Sequence, residues 1–132
     1  MNDKQQNPNL SEEQKKVLFD GGTEAPFSGA LLENKESGDY LCANCGHILF
    51  ESDTKFESGS GWPSFYDAKN KEAVTLIEDS SLGMTRTEVL CANCGAHMGH
   101  VFNDGPRDKT GQRFCINSLS LDFEPSTDEQ QS

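Results

Sequence analysis

From Tyr40 to Phe123 apolar and polar residues alternate over short runs, the period of half-buried strands, and loops rich in glycine, serine and proline separate the runs. "DYLCANCGHILF" (39–50) reads as strand, tight turn, strand. "AVTLIED" (73–79) and "MTRTEVL" (84–90) are rich in β-branched residues and read as strands. "LCANCGAHMGHVF" (90–102) repeats the tight turn and runs into a strand, and "QRFCINSLSLDF" (112–123) reads as one long final strand. "FESGSGWPSFYD" (56–67) and "NDGPRDKTG" (103–111) are loops. Helical pattern is confined to "SEEQKKVLFDGG" (11–22), where Ser11 is the N-cap, Gln14 completes a capping box and Gly21-Gly22 stop the helix. The polar residues 1–9 are expected to be disordered and the acidic residues 124–132 to form a flexible tail, leaving one domain over 10–123.

Composition sharpens this outline. A chain of 132 residues with 33% hydrophobic content and 12 glycines suits a loop-rich domain that needs an added staple. The net charge of −11 argues against nonspecific nucleic-acid binding and anionic membranes. No apolar run of about 18 residues suggests a membrane span, and "MNDKQQNPNLSEEQ" has neither the apolar core of a secretory signal nor the arginines of a transit peptide. The expected compartment is the cytoplasm, where thiols stay reduced and paired cysteines read first as metal ligands or redox groups.

Four of the five cysteines form two C-x2-C pairs, Cys42/Cys45 and Cys91/Cys94, each inside the repeated "LCANCG". A two-residue spacer points both sulfurs inward from one turn, and the glycine that follows can take the positive φ such a turn needs. Two such turns supply four thiolates, the donor set of a closed structural zinc site with one metal per chain. The gap between the pairs means that the metal would join distant strands. Disulfides, a thioredoxin-like redox pair and an iron–sulfur cluster use the same residues. No βαβ pattern supports the redox pair, and no oxidising compartment supports the disulfides.

The fifth cysteine, Cys115, lies in "GQRFCIN". If 112–123 is a strand, Arg113, Cys115 and Asn117 share one face, continued by Leu119, Leu121 and Phe123. A permanently charged guanidinium beside a thiol favours its nucleophilic thiolate form. A buried, inert thiol fits this stretch equally well. His97 and His100 follow the second turn. They would face opposite ways in a strand and converge in a turn, where one could exchange protons with a reaction at Cys115. Asp104 could orient a histidine or merely shape its turn. Trp62, the single tryptophan, could wall a small apolar pocket or simply fill the core.

Taken together, "SGSGWPSF", "GHVFNDGP" and "RFCINSLSL" closely resemble the signature segments of the B-type peptide methionine sulfoxide reductases, which act on the R epimer. The resemblance runs from Thr23 to Phe123 and includes the two cysteine pairs, which resemble the zinc site that many members carry. It implies a mainly β fold: two small antiparallel sheets with short N-terminal helices, stapled by a four-cysteine zinc site opposite the active site. It implies a protein-repair oxidoreductase of the oxidative stress response, reducing free or protein-bound methionine R-sulfoxide. In that reading Cys115 is the nucleophile, Arg113 favours its thiolate, and His100 protonates the sulfoxide oxygen with support from His97 and Asp104. Asn117 orients groups or water, and Trp62 walls the pocket for the substrate methyl group. A departure from the family concerns Ser60: many members have cysteine there, and serine cannot form the disulfide that would regenerate Cys115. If zinc holds the other four cysteines, the expected cycle uses one cysteine and an external thiol such as thioredoxin, with a zinc-ligand cysteine as the weaker candidate for a resolver, in a monomeric protein. Rival readings are a zinc-stapled binding module without catalysis and a general thiol–disulfide oxidoreductase working through the cysteine pairs.

Overall fold

The computed structural model describes residues 10–25, 27–59, 61–70, 72–79 and 86–125. Helix α1 (Glu12–Asp20) forms where the capping pattern predicts it. The Gln14 N–H donates to Ser11 Oγ at 3.0 Å, and the Ser11 N–H donates to Gln14 Oε1 at 2.9 Å. Gly21 ends the helix in the left-handed region at φ 73°, and Val17 and Leu18 are buried. It is the single α-helix among the described residues, where the resemblance implied several.

The strands are β1 (Gly38–Cys42), β2 (Ile48–Glu51), β3 (Lys55–Phe56), β4 (Ser64–Phe65), β5 (Val74–Asp79), β6 (Arg86–Cys91), β7 (His97–Phe102), β8 (Arg113–Ile116) and β9 (Leu121–Pro125). They make two sheets, one in the order β2-β1-β9 and one in the order β3-β4-β8-β7-β6-β5. Every pairing is antiparallel. The mainly β, two-sheet architecture is the one expected.

One expectation fails. Residues 112–123 are not one strand: β8 lies in the large sheet, a 3-10 turn spans Ser118–Ser120, and β9 crosses to the small sheet. The break has a polar cause. Asn117 Nδ2 donates to the Met98 carbonyl at 2.9 Å, the Ser120 N–H donates to the Asn117 carbonyl at 3.0 Å, and Ser120 Oγ donates to the His97 carbonyl at 3.0 Å. These bonds draw polar side chains inward, so the face shared by Arg113, Cys115 and Asn117 does not continue through Leu119 and Leu121. Strand β9 also takes in Glu124 and Pro125, the first two residues of the expected tail. The expected disorder at 1–9, the remainder of the tail and the serine at position 60 lie outside the described residues.

The core lies where the two sheets face each other. Tyr40 and Phe50 from the small sheet meet Phe65 and Phe114 from the large one. Phe50 stacks on Phe65 at 4.4 Å between ring centroids, and Tyr40 meets Phe65 edge-on at 5.0 Å. All four rings are buried, and each contributes roughly 1.5–3 kcal/mol from apolar burial. Truncating Phe50 to alanine would cost on the order of 3–5 kcal/mol, because the packed rings cannot close the cavity.

Candidate active site

Both C-x2-C turns are hairpin loops of the same shape, one joining β1 to β2 and the other joining β6 to β7. In the first, the Gly46 N–H donates to the Cys42 carbonyl at 2.8 Å; in the second, the Gly95 N–H donates to the Cys91 carbonyl at 2.8 Å. Gly46 and Gly95 take φ of 82° and 80°, a region that a residue with a Cβ rarely occupies. The hairpins belong to different sheets, so a metal held between them would cross-link the sheets. The four sulfurs lie within 4.8 Å of one another and could hold a metal ion. The Cys42–Cys94 and Cys45–Cys91 sulfur pairs are 3.7 and 3.6 Å apart, close to the edge of about 3.8 Å expected for a tetrahedron of thiolates around zinc. The contacts with Cys91 and Cys94 hold the Cys42 thiol well above its usual range, and contact with Cys42 draws Cys94 well below it. The sulfurs compete for protons, and four adjacent thiolates need a cation to coexist.

Cys115 sits in the middle of the large sheet, between two cross-strand neighbours. It pairs with Ser64 of β4 on one side and His100 of β7 on the other. At Gly99, beside it, a Cβ would run into the Cys115 carbonyl oxygen, so β7 and β8 can lie this close only over a glycine. Arg113 Nη1 donates to Cys115 Sγ at 2.8 Å. The guanidinium is fixed by a two-pronged contact with Asp104: Nε to Oδ1 at 2.8 Å and Nη2 to Oδ2 at 3.1 Å. The Phe102 ring lies under it at 4.7 Å. Hydrogen bonding to Arg113 holds the Asp104 carboxyl below its usual range, and Asp104 in turn raises Arg113. Asp104 thus orients the arginine, where sequence suggested it for a histidine. Ser64 Oγ stands 3.9 Å from Sγ on the other side and 2.7 Å from Ser58 Oγ.

The histidines do converge, although both are in a strand. The register of β7 against β6 slips so that Val89 pairs with Gly99 while Leu90 pairs with His97, leaving Met98 as a bulge residue. That slip turns His97 and His100 to one side, with ring centroids 5.6 Å apart. His97 is buried, and its Nδ1 is 2.7 Å from Glu88 Oε2. Glu88 is the cross-strand partner of His100. A carboxylate, two imidazoles and the thiol therefore follow one another across β6, β7 and β8.

Beside the thiol a pocket of about 280 Å³ opens, lined by Trp62, His100, Phe102, Arg113, Cys115 and Asn117 among others. Trp62 Nε1 donates to the Glu24 carbonyl at 3.0 Å. Asn117 is buried, with Oδ1 accepting the Glu24 N–H at 3.0 Å and Nδ2 on the Met98 carbonyl. Its amide is engaged by backbone on both sides. None of Cys42, Cys45, Cys91 and Cys94 lines this pocket among the described residues.

The SelR domain family matches residues 10–125. A peptide methionine sulfoxide reductase MsrB of Leifsonia xyli is 60% identical over 116 residues, spanning 88% of this chain and 84% of the relative. The chain belongs to the MsrB family of peptide methionine sulfoxide reductases. MsrB proteins of Methanosarcina mazei and Leptospira interrogans are 60% and 58% identical over 119 and 115 residues, spanning 90% and 87% of this chain and 84% and 87% of the relatives. A solved structure of the Mis18 'Yippee-like' domain has a TM-score of 0.54 at 17% identity and covers 69% of this chain and 98% of its own. That likeness shows a common fold alone. In this MsrB chain, sequence reasoning missed Ser64, Glu88, Phe102 and Glu24. Each reaches the site through strand register or a loop contact, and the usable signal was the two-residue alternation that would place Glu88 beside the strand bearing His100.

Proposed function

We propose that this MsrB-family oxidoreductase reduces methionine R-sulfoxide, in proteins and as the free amino acid, through a sulfenic acid on Cys115. The observation that carries this reading is the guanidinium held at 2.8 Å from Cys115 Sγ in a pocket shared with Trp62 and His100. A thiolate at Sγ is stabilised by a permanent charge that Asp104 keeps in place. It attacks the sulfoxide sulfur while the sulfoxide oxygen takes a proton from His100, whose neighbour His97 is held by Glu88. The oxygen passes from the methionine sulfur to Sγ. The substrate sulfur gains two electrons, Cys115 loses two, and methionine leaves. The two epimers of a sulfoxide differ in where methyl and oxygen point, so an aromatic wall at Trp62 and an oxygen site at His100 accept one hand.

Serine at position 60 removes one source of a second thiol, and the four paired cysteines serve a structural zinc ion that ties the two sheets together when bound. An external thiol, such as that of thioredoxin, therefore attacks Sγ. Water departs as a mixed disulfide forms, and a second thiol releases reduced Cys115. This chemistry suits a monomer in a reducing compartment such as the cytoplasm.

A single turnover without reductant tests the reading. Zinc-loaded protein is mixed with excess R-sulfoxide or S-sulfoxide, methionine is counted per chain, and the oxidised residue is located by mass spectrometry. About one methionine per chain from the R epimer alone, with a trapped sulfenic acid on Cys115, is expected. An internal disulfide at Cys115 would sink the one-cysteine cycle. No methionine from either epimer would favour a zinc-stapled binding module.

A further inference from the structure

Trp62 is part of the pocket wall, yet no strand holds it. Its indole N–H donates to the Glu24 carbonyl, and the Glu24 N–H donates to Asn117 Oδ1. Thr23, Trp62 and Asn117 all line the pocket. The backbone of Glu24 thus stands between two pocket residues, in a segment without strand pairing. If those two bonds were its only tethers, the segment would be held by the side chains it is meant to place. A tether from outside the pocket breaks that circle. The Glu24 side chain is buried, and its Oε1 accepts the Leu119 N–H at 2.9 Å, in the 3-10 turn that carries the chain from the large sheet to the small one. Its second oxygen, Oε2, is enclosed with no hydrogen-bond partner among the described residues. Burying a carboxylate oxygen without a partner costs stability. A residue chosen for stability alone would not carry that cost.

We infer that Glu24 is a positioning residue for substrate recognition: its carboxylate clamps the 23–25 segment to the sheet-crossing turn and thereby fixes the Trp62 wall against the substrate methyl group. The inference rests on the reading of this pocket as the methionine sulfoxide site. Glu24 acts through Trp62 and touches no reacting atom. Its loss loosens binding more than chemistry and lets the wall move aside for the wrong epimer.

Two full-length, zinc-loaded variants test it. Glu24→Met fills the same space without a strong acceptor, and Glu24→Gln keeps an amide oxygen for the Leu119 N–H. Trp62 is the only tryptophan, so its emission and its quenching by acrylamide report the wall directly and without turnover. In Glu24→Met the emission moves to the red and quenching increases. The KM for the R-sulfoxide rises about three- to tenfold with kcat nearly unchanged, and discrimination against the S epimer falls. Glu24→Gln restores emission and KM toward the parent. Parental emission, KM and epimer preference in a folded Glu24→Met, whatever its melting temperature, would overturn the inference and leave a purely structural clamp. If Glu24→Met fails to fold, Glu24→Gln decides: parental emission and KM uphold the clamp, and a red-shifted, weak-binding Glu24→Gln overturns it. Should the unaltered protein turn over neither epimer, the functional reading fails, while the fluorescence comparison still shows whether Glu24 holds the indole.

Discussion

Cys42 and Cys94 face each other at 3.7 Å inside a ring of four sulfurs, whereas Cys115 faces a guanidinium at 2.8 Å and an open pocket. The side chain is the same and the surroundings are opposed. In the cluster, each sulfur is hemmed in by others that also want a positive charge, so an ion from outside could satisfy all four. At Cys115 the positive charge is a neighbour already bonded to the protein, and the residue lines an open pocket. The two hairpin loops present sulfurs in turns of the same shape, while Cys115 rides mid-strand, paired with Ser64 and His100 on either side. The proposed roles of the two kinds of thiol rest on what completes each sulfur's surroundings.

The comparison is best broken by keeping metal away from the four sulfurs. Zinc binding to such a site supplies on the order of 10–16 kcal/mol of apparent energy toward the folded state. A strong chelator or Cys94→Ser should therefore abolish the cooperative thermal transition and all activity together, as followed by circular dichroism and metal analysis. A chelated protein that still melts cooperatively would mean that the sheets do not depend on the cross-link.

Cys115→Ser should do the reverse. Turnover of the R-sulfoxide falls to background, while metal stoichiometry and melting temperature match the parent, because Cys115 is half-buried and takes no part in the cluster. Loss of metal in this variant would blur the division between the two sites. Arg113→Ala removes the charged donor and should lower kcat/KM by about ten- to a hundredfold, the worth of a charge-assisted hydrogen bond. Arg113→Lys should recover only part of it, because an ammonium cannot hold Asp104 and Sγ at once. Full recovery by lysine would show that charge alone matters.

The smallest effect concerns pH. The Asp104 carboxyl is held below the usual value of 3.8 by Arg113. A depressed carboxylate keeps its interaction above the unfolded value and loses it as pH falls through the folded value. The fork on Arg113 should thus persist through the ordinary carboxylate range and loosen only beneath it. Asp104→Asn should lower kcat/KM a few-fold, about 1 kcal/mol, with little change in stability, since Asp104 is exposed and the pair is screened by water. Parent and variant profiles compared from neutral pH down to the limit of the fold would show this; a steep loss of the parent's activity well above 3.8 would assign the acid limb to another group.

Much of this was legible along the chain. The helix cap, both cysteine turns and the pairing of Arg113 with Cys115 depend on residues two to four apart, and local spacing carries them. The break after Asn117 was hidden because "SLSLDF" alternates as a strand would. Only the distant carbonyls of Met98 and His97 show why Asn117 and Ser120 turn inward. The convergence of His97 and His100 depends on a one-residue slip against β6, which the strand's own sequence does not announce. Glu24 and Glu88 resemble surface acids by composition; one is drawn in by a turn about 95 residues away and the other by cross-strand register.

The order of the sulfurs along the chain carries one more consequence. Cys42, Cys45, Cys91 and Cys94 all precede Cys115, and β9, which closes against β1, comes after it. During synthesis, which runs from the N-terminus, the four clustered thiols leave the ribosome before Cys115 does. A metal taken up by the four would then meet no fifth thiol competing for a place among them, and Cys115 would emerge beside Arg113 afterwards.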